Sequence, residues 1–233
     1  MDTPKCDTGK LGRPPRHEID SIHAKNWYYD VSCLSGMISG YELEKRFSPW
    51  NLGDGETYKK RPCKFDKYRR GEHLPSRDLI KQVGKTFPHT EKRFDHCFWK
   101  IAKYPQADLT ELYGLVNLLR PNIRNLILLP KSEANSPIVR CRTGTSKIFE
   151  ELRKEGDLDA LSACLALIHE NNILGSIQDT ELYTRYVFHI FVRSFSRLPY
   201  EAVSFEFCEY LFKHFLNNGN RKKNVERSRC THS

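Results

Sequence analysis

No stretch of this 233-residue chain approaches the roughly 18 uninterrupted apolar residues that a membrane span requires. The opening MDTPKCDTGKLGRPPRHE has no apolar core, so it does not read as a secretory signal. The eight cysteines, Cys6, Cys33, Cys63, Cys97, Cys141, Cys164, Cys208 and Cys230, include no CxxC pair. Cys164 and Cys208 fall in apolar helical patterns, and reduced thiols lying partly in a core are the expectation. His89, His96 and Cys97 could supply metal ligands, but their spacing matches no usual zinc pattern. No Walker loop, GxSxG, HExxH or paired-carboxylate signature is present. No repeat of 20–50 residues is visible, and strand-like alternation is scarce. These absences point away from the common catalytic classes and call for no cofactor and no metal.

What is present is a folding composition, 39% hydrophobic and 12% aromatic, with a polar mean hydropathy of −0.63. A soluble intracellular protein with a real core is expected. The net charge of +9 is unevenly placed. Residues 1–105 carry 21 Lys/Arg against 14 Asp/Glu, a balance of +7. Residues 106–216 carry 12 against 14, or −2, and residues 217–233 carry 5 against 1, or +4. Such asymmetry assigns a polyanion to one half of the chain and another task to the other half.

Helical spacing dominates. Trp27, Tyr28, Val31 and Leu34 share a face within residues 24–37. Ser39 and Glu42 form a capping-box pair ahead of Leu43 and Phe47. Pro62 suits a first helical position, and Gly71 stops the segment that follows. Ser76 caps a helix that turns Leu79, Ile80, Val83 and Phe87 inward and ends at Pro88. HTEKRFDHCFWKIAKYP reads as one further short helix. Beyond Pro105, apolar helical patterns cover DLTELYGLVNLLRP, NIRNLILLP, SKIFEELRKEG, LDALSACLALIHENNIL, DTELYTRYVFHIFVRSFSRLP and EAVSFEFCEYLFKHFLNN. Leu158, Leu161, Leu165 and Ile168 mark one predicted face, and Leu182, Tyr186, Phe188 and Val192 another. Glu150, Glu151, Glu155, Asp157 and Asp159 read as a solvated acidic face. The expectation is an all-α protein: a helix-turn-helix-like N-terminal domain followed by a helical-bundle C-terminal domain.

Residues 59–71, KKRPCKFDKYRRG, hold seven basic residues and one acid, Asp66. Lys64, Lys67 and Tyr68 fall on one helical face, and Phe65 is expected to anchor that helix to the core. The longer segment KFDKYRRGEHLPSRDLIKQVGKTF resembles the second half of the Xre/Cro-repressor-like helix-turn-helix fold. The residues that carry this are Tyr68-Arg69-Arg70-Gly71, the link Glu72-His73-Leu74, Pro75-Ser76, and Leu79, Ile80 and Val83. SGYELEKRF resembles the family's preceding helix. The resemblance spans about residues 39–87 and implies DNA binding. It departs from the family in one respect. A compact helix-turn-helix joins its central helices by about 3–4 residues, whereas residues 48–61 intervene here. Either the turn carries an insertion, or the recognition helix starts near Glu56 and Pro62 kinks it.

Residues 10–16, KLGRPPR, resemble an AT-hook or a minor-groove arm, although Pro-Arg before the glycine is missing. The nucleic-acid-binding candidates are therefore Arg13, Arg16, Lys59, Lys60, Arg61, Lys64, Lys67, Arg69 and Arg70. Lys60, Arg61 and Lys64 suit a groove wall or base edges, and Lys67, Arg69 and Arg70 suit phosphates. The expected organisation is a flexible basic arm at 1–22, a helix-turn-helix-like domain at 23–105, an oligomerisation or partner domain at 106–216, and a disordered basic tail at 217–233. The expected function is non-catalytic binding of double-stranded DNA. A bacterial transcriptional regulator or a mobile-element accessory protein would do this, in the cytoplasm or on the nucleoid, as a homodimer or with a protein partner through 106–216. RNA is the alternative ligand, since Trp50, Tyr58 and Tyr68 flank the basic run. Two rival functions remain open. One is a helical adaptor in a nucleoprotein or defence complex. The other is a ribonuclease resembling the HEPN enzymes, with Arg185 and His189 one helical turn apart, although that family's motif spaces the pair more widely.

Overall fold

The computed structural model describes residues 16–49, 62–103, 108–128, 145–175 and 177–216, and only the backbone of 145, 177–181 and 216. Of the described residues, 80% are helical and none lies in a strand, so the class is all-α.

Helix α1 runs Glu18–Ser35. It starts earlier than the apolar spacing from Ala24 predicts, because His17 caps it: the ring Nδ1 accepts the Ile19 N–H at 3.3 Å. Its first turns bury Ile19 and Ile22, two core residues that the polar run EIDSIH conceals in the sequence. Gly36, in the left-handed region, ends it.

Helices α2 (Gly40–Phe47), α3 (Lys64–Arg69), α4 (Arg77–Thr86) and α5 (Pro88–Phe94) follow. They close one apolar cluster over the C-terminal part of α1. Trp27, Tyr28 and Val31 meet Leu43, Phe47, Phe65, Tyr68, Leu79, Ile80 and Val83 there. Pro88 ends α4 as expected and also opens α5, where its missing N–H costs nothing.

The single helix expected over HTEKRFDHCFWKIAKYP is two. Asp95 closes α5 on the Glu91 carbonyl. His96 then caps α6 (Cys97–Lys103), its Nδ1 accepting the Phe98 N–H at 3.1 Å. A second, larger cluster takes in Ile19 and Ile22 of α1 and the side chains of α6. It is completed by α7 (Leu109–Val116), α8 (Pro121–Ile127), α9 (Thr145–Glu155), α10 (Leu158–Leu174), α11 (Ile177–Phe195), a 3-10 turn (Tyr200–Val203), α12 (Ser204–Leu211) and a π turn (Phe212–Leu216).

Two predicted faces are corrected here. Helix α10 shows no single inward stripe, because every residue from Asp159 to Asn171 is buried. It is the central helix of the larger cluster, and such a helix is apolar or satisfied all round. Helix α11 packs Tyr183, Val187, Ile190 and Phe191 inward, leaving Phe188 and Val192 exposed. The side that packs on α9 and α10 is buried, and of the predicted face Leu182 and Tyr186 are only half-buried. Asp159 is likewise not solvated. It accepts from His96 Nε2 at 3.1 Å and Arg120 Nε at 2.6 Å, tying together the starts of α6, α8 and α10. Burial alone would raise its pKa, and these two partners outweigh that and lower it.

The two clusters meet at His23. Its ring stacks between Phe94 at 4.1 Å and Trp99 at 4.3 Å, and its Nε2 lies 3.0 Å from the Phe94 carbonyl. Burial pushes its pKa down to about 3. The unfolded chain therefore takes the proton first. The stability from this group is complete above about pH 6.5 and is lost as the pH falls toward 3. Urea unfolding of wild type and His23→Gln should show the variant less stable at pH 7, with the gap narrowing toward pH 4.

Gly71 generates a second prediction. It has φ +71°, and an added Cβ would lie 2.1 Å from Ser21 Oγ and 2.8 Å from the Ser21 carbonyl. Gly36 has φ +68° with nothing within 4 Å, so it isolates the backbone cost alone. Gly36→Ala should cost about 1 kcal/mol in thermal or urea unfolding. Gly71→Ala should cost about 3 kcal/mol, because α3 must also move off α1.

Candidate nucleic-acid interface

The basic segment is positioned from α2 outward. Ser39 and Glu42 make the predicted capping box. Helix α2 then presents Glu44, which is 0% exposed, to the start of α3. There the structure departs from the sequence expectation. Pro62 is not helical, and Cys63, at φ +52°, precedes the helix without a side-chain cap. The cap comes from Glu44 instead, whose Oε1 accepts the Lys64 N–H at 2.8 Å. A carboxylate thus already occupies the positive end of α3.

Phe65 anchors α3 to the core as expected, whereas Tyr68, expected on the face of Lys64 and Lys67, is buried as well. Phe65 and Tyr68 turn inward onto Trp27, with ring centroids 5.8 and 5.6 Å away. Lys64 and Arg69 remain exposed and Lys67 half-buried. The chain leaves α3 through Gly71, whose N–H closes on the Tyr68 carbonyl. It re-enters helix at α4, where Ser76 Oγ accepts the Leu79 N–H at 3.4 Å.

Between α3 and α4 lies an open groove of about 700 Å3. Lys64, Lys67 and Tyr68 line one wall; His73, Ser76 and Gln82 line the other. Arg16 lines it too, although it stands far upstream in the sequence. Its guanidinium donates to the Glu72 carbonyl, and Nη2 lies 3.5 Å from His73 Nδ1. The residue that ends the basic arm is thus fastened to the link between α3 and α4.

Charge in this region is only partly neutralised. Asp20, also in the groove, is held by Lys103 at 2.8 Å. Arg70 pairs with Glu72 at 2.5 Å, and that bond holds the Glu72 carboxyl below its usual range. Lys64 Nζ reaches Ser48 Oγ at 3.3 Å. Among the described residues Lys67 and Arg69 form no ion pair, although the charge of Lys67 acts on Glu72, and Asp78, exposed, adds a second carboxylate to the groove.

Of the nine nominated residues, the structure therefore brings Arg16, Lys64 and Lys67 into one groove. Arg69 and Arg70 are exposed at the end of α3 and do not line it. Arg13, Lys59, Lys60 and Arg61 lie outside the described residues, as do Trp50 and Tyr58. Sequence reasoning did not single out Asp20, Gln82 or Glu44. Glu44 had no local signal, since its partner is twenty residues away. Arg185 and His189 both lie exposed on α11, not on a core face. Among the described residues no three His, Cys, Asp or Glu side chains are grouped to hold a metal ion.

Comparison with family models, with curated proteins and with solved structures finds no match to this chain.

The Glu44 cap gives a test of how α3 is held. Glu44→Ala removes a buried acceptor and strands the Lys64 N–H, which should cost about 3 kcal/mol in urea unfolding. Glu44→Gln keeps an acceptor oxygen and should cost less.

Proposed function

We propose that this chain binds double-stranded DNA, without catalysis, through the groove between α3 and α4. The observation that carries this reading is the meeting of Arg16, Lys64 and Lys67 in one concave site, where they outnumber its two carboxylates, Asp20 and Asp78, and where Asp20 is already held by Lys103. Side chains of this kind contact phosphates and set the register of a protein on a duplex. The +7 balance of residues 1–105 supplies the field that draws a polyanion to this half of the molecule. Under this reading the basic arm that ends at Arg16 starts its path at the groove and can reach an adjacent minor groove. The protein then acts as a bacterial transcriptional regulator or a mobile-element accessory protein, nucleoid-associated, with residues 106–216 supplying dimerisation. No described helix is long and apolar enough to cross a membrane.

One observation favours the adaptor reading. Phe188 and Val192 on α11, and Phe205 and Phe212 at the C-terminal helix and π turn, stay largely exposed. Apolar side chains in that arrangement suit a protein partner.

The test is duplex binding by fluorescence anisotropy across a salt series, for wild type and Lys64→Gln/Lys67→Gln, with single-stranded RNA as competitor. The reading expects tight binding with a steep salt slope, and a slope shallower by about two in the variant. Absence of duplex binding at low salt, or displacement by RNA at equal concentration, would contradict it.

A further inference from the structure

Helix α4 turns one face into the smaller cluster and the opposite face to solvent. Leu79, Ile80, Val83 and Gly84 are buried. Gly84 seats α5 closely, since an added Cβ there would lie 3.0 Å from Glu91 Oε2. Asp78, Lys81, Gln82 and Lys85 are all exposed. At 3.6 residues per turn these four fall within about 100° of arc, on the side away from the cluster. Asp78 and Gln82 also line the groove, so the exposed strip of α4 is continuous with it.

The basic side chains of the strip are not engaged within the protein. Among the described residues Lys81 and Lys85 form no ion pair. Arg77, beside them on the helix, is committed: its guanidinium donates to Asp95 and lies 5.9 Å from the centre of the Phe94 ring. The order of side chains across the surface is then informative. Asp78 and Gln82 lie between Lys81 and Lys85 on one side and Lys64 and Lys67 of α3 on the other. A lysine contacts a phosphate whatever the sequence. Gln82 is the one carboxamide among the described residues that line the groove, and a glutamine side chain pairs with N6 and N7 of adenine. Asp78 repels a phosphate but can accept from N4 of cytosine. Polar groups suited to base edges thus lie between two pairs of cations suited to phosphates.

We infer that α4 is the specificity-determining element of the duplex-binding surface. It enters the major groove, where Gln82 and Asp78 meet base edges. Lys81 and Lys85 lie along one phosphate row, and Lys64 and Lys67 along the other. This rests on the reading of the groove above and deepens it from phosphate contact to sequence readout. Ten residues make α4 about 15 Å long, and a major groove about 12 Å wide admits a helix. Its buried inner face fixes the strip as a rigid unit.

The experiment uses the full-length protein. Duplexes are selected from a randomised library, and the preferred duplex is then bound over a salt series and read by anisotropy. Wild type should select a motif that includes an A·T pair read by Gln82. Gln82→Ala should lower the preference at that base pair about tenfold with the salt slope unchanged, and Gln82→Arg should move it to G·C. Lys81→Gln/Lys85→Gln should keep the motif and lose about two units of slope. All three variants alter exposed side chains, so their urea unfolding should match wild type. Three results would each overturn the inference while Lys64→Gln/Lys67→Gln still weakens binding and the groove reading stands. They are a wild-type motif kept by both Gln82 variants, a wild-type slope kept by the lysine variant, and duplex binding by wild type with no sequence preference. If wild type binds no duplex, both readings fail.

Discussion

Helix α1 is the constraint on which the rest depends. Its N-terminal turns lie in the larger cluster and its C-terminal turns in the smaller one. A helix committed at both ends cannot shift toward one core without opening the other. Burial of Trp27, Tyr28 and Val31 is worth about 2 kcal/mol each, and Ile19 and Ile22 contribute comparably on the other side. His23, held between Phe94 and Trp99, sits where the two sets meet. Everything the basic half presents to solvent is positioned from this helix: α3 through Phe65 and Tyr68, the α3–α4 link through Gly71 against Ser21, and Arg16 at the helix's own start.

The electrostatics follow from how the helix ends are satisfied. Glu44 caps α3, Ser76 caps α4, and Lys103 holds Asp20. These contacts engage Glu44 and Asp20 but leave Asp78 exposed in the groove, and neither Lys67 nor Arg69 forms an ion pair among the described residues. Exposed ion pairs such as Arg70–Glu72 add little to stability. The side chains left without acidic partners instead shape the field seen by a ligand. The acidic groups of the other half are engaged elsewhere, with Asp159 locked between His96 and Arg120 and Glu150 paired with Arg153.

Much of the fold was legible in the sequence where the signal is local. The capping box at Ser39, the stop at Gly71, the cap at Ser76 and the break at Pro88 each depend on residues a few positions apart, and each is observed. Legibility failed where a choice is made by distant partners. The face expected on α11 included Phe188 and Val192, and packing on α9 and α10 instead buries Tyr183, Val187 and Phe191. Asp159 looks like one of five surface acids until His96 and Arg120 arrive from other helices. At the site, composition and spacing found the basic strip. They could not bring Arg16 onto the Glu72–His73 link or place Glu44 beneath Lys64, because both contacts join segments far apart in the chain.

The central claim is that a duplex sits in the groove between α3 and α4 that Arg16 also lines. It is tested most directly by mapping amide chemical-shift changes on titrating a short DNA duplex into isotopically labelled protein. The account predicts shifts concentrated at Arg16, Lys64–Gly71 and His73–Gln82, with the exposed face of α11 around Phe188 unchanged. Shifts absent from those segments, or centred on α11, would contradict it and leave the basic strip as solvated surface.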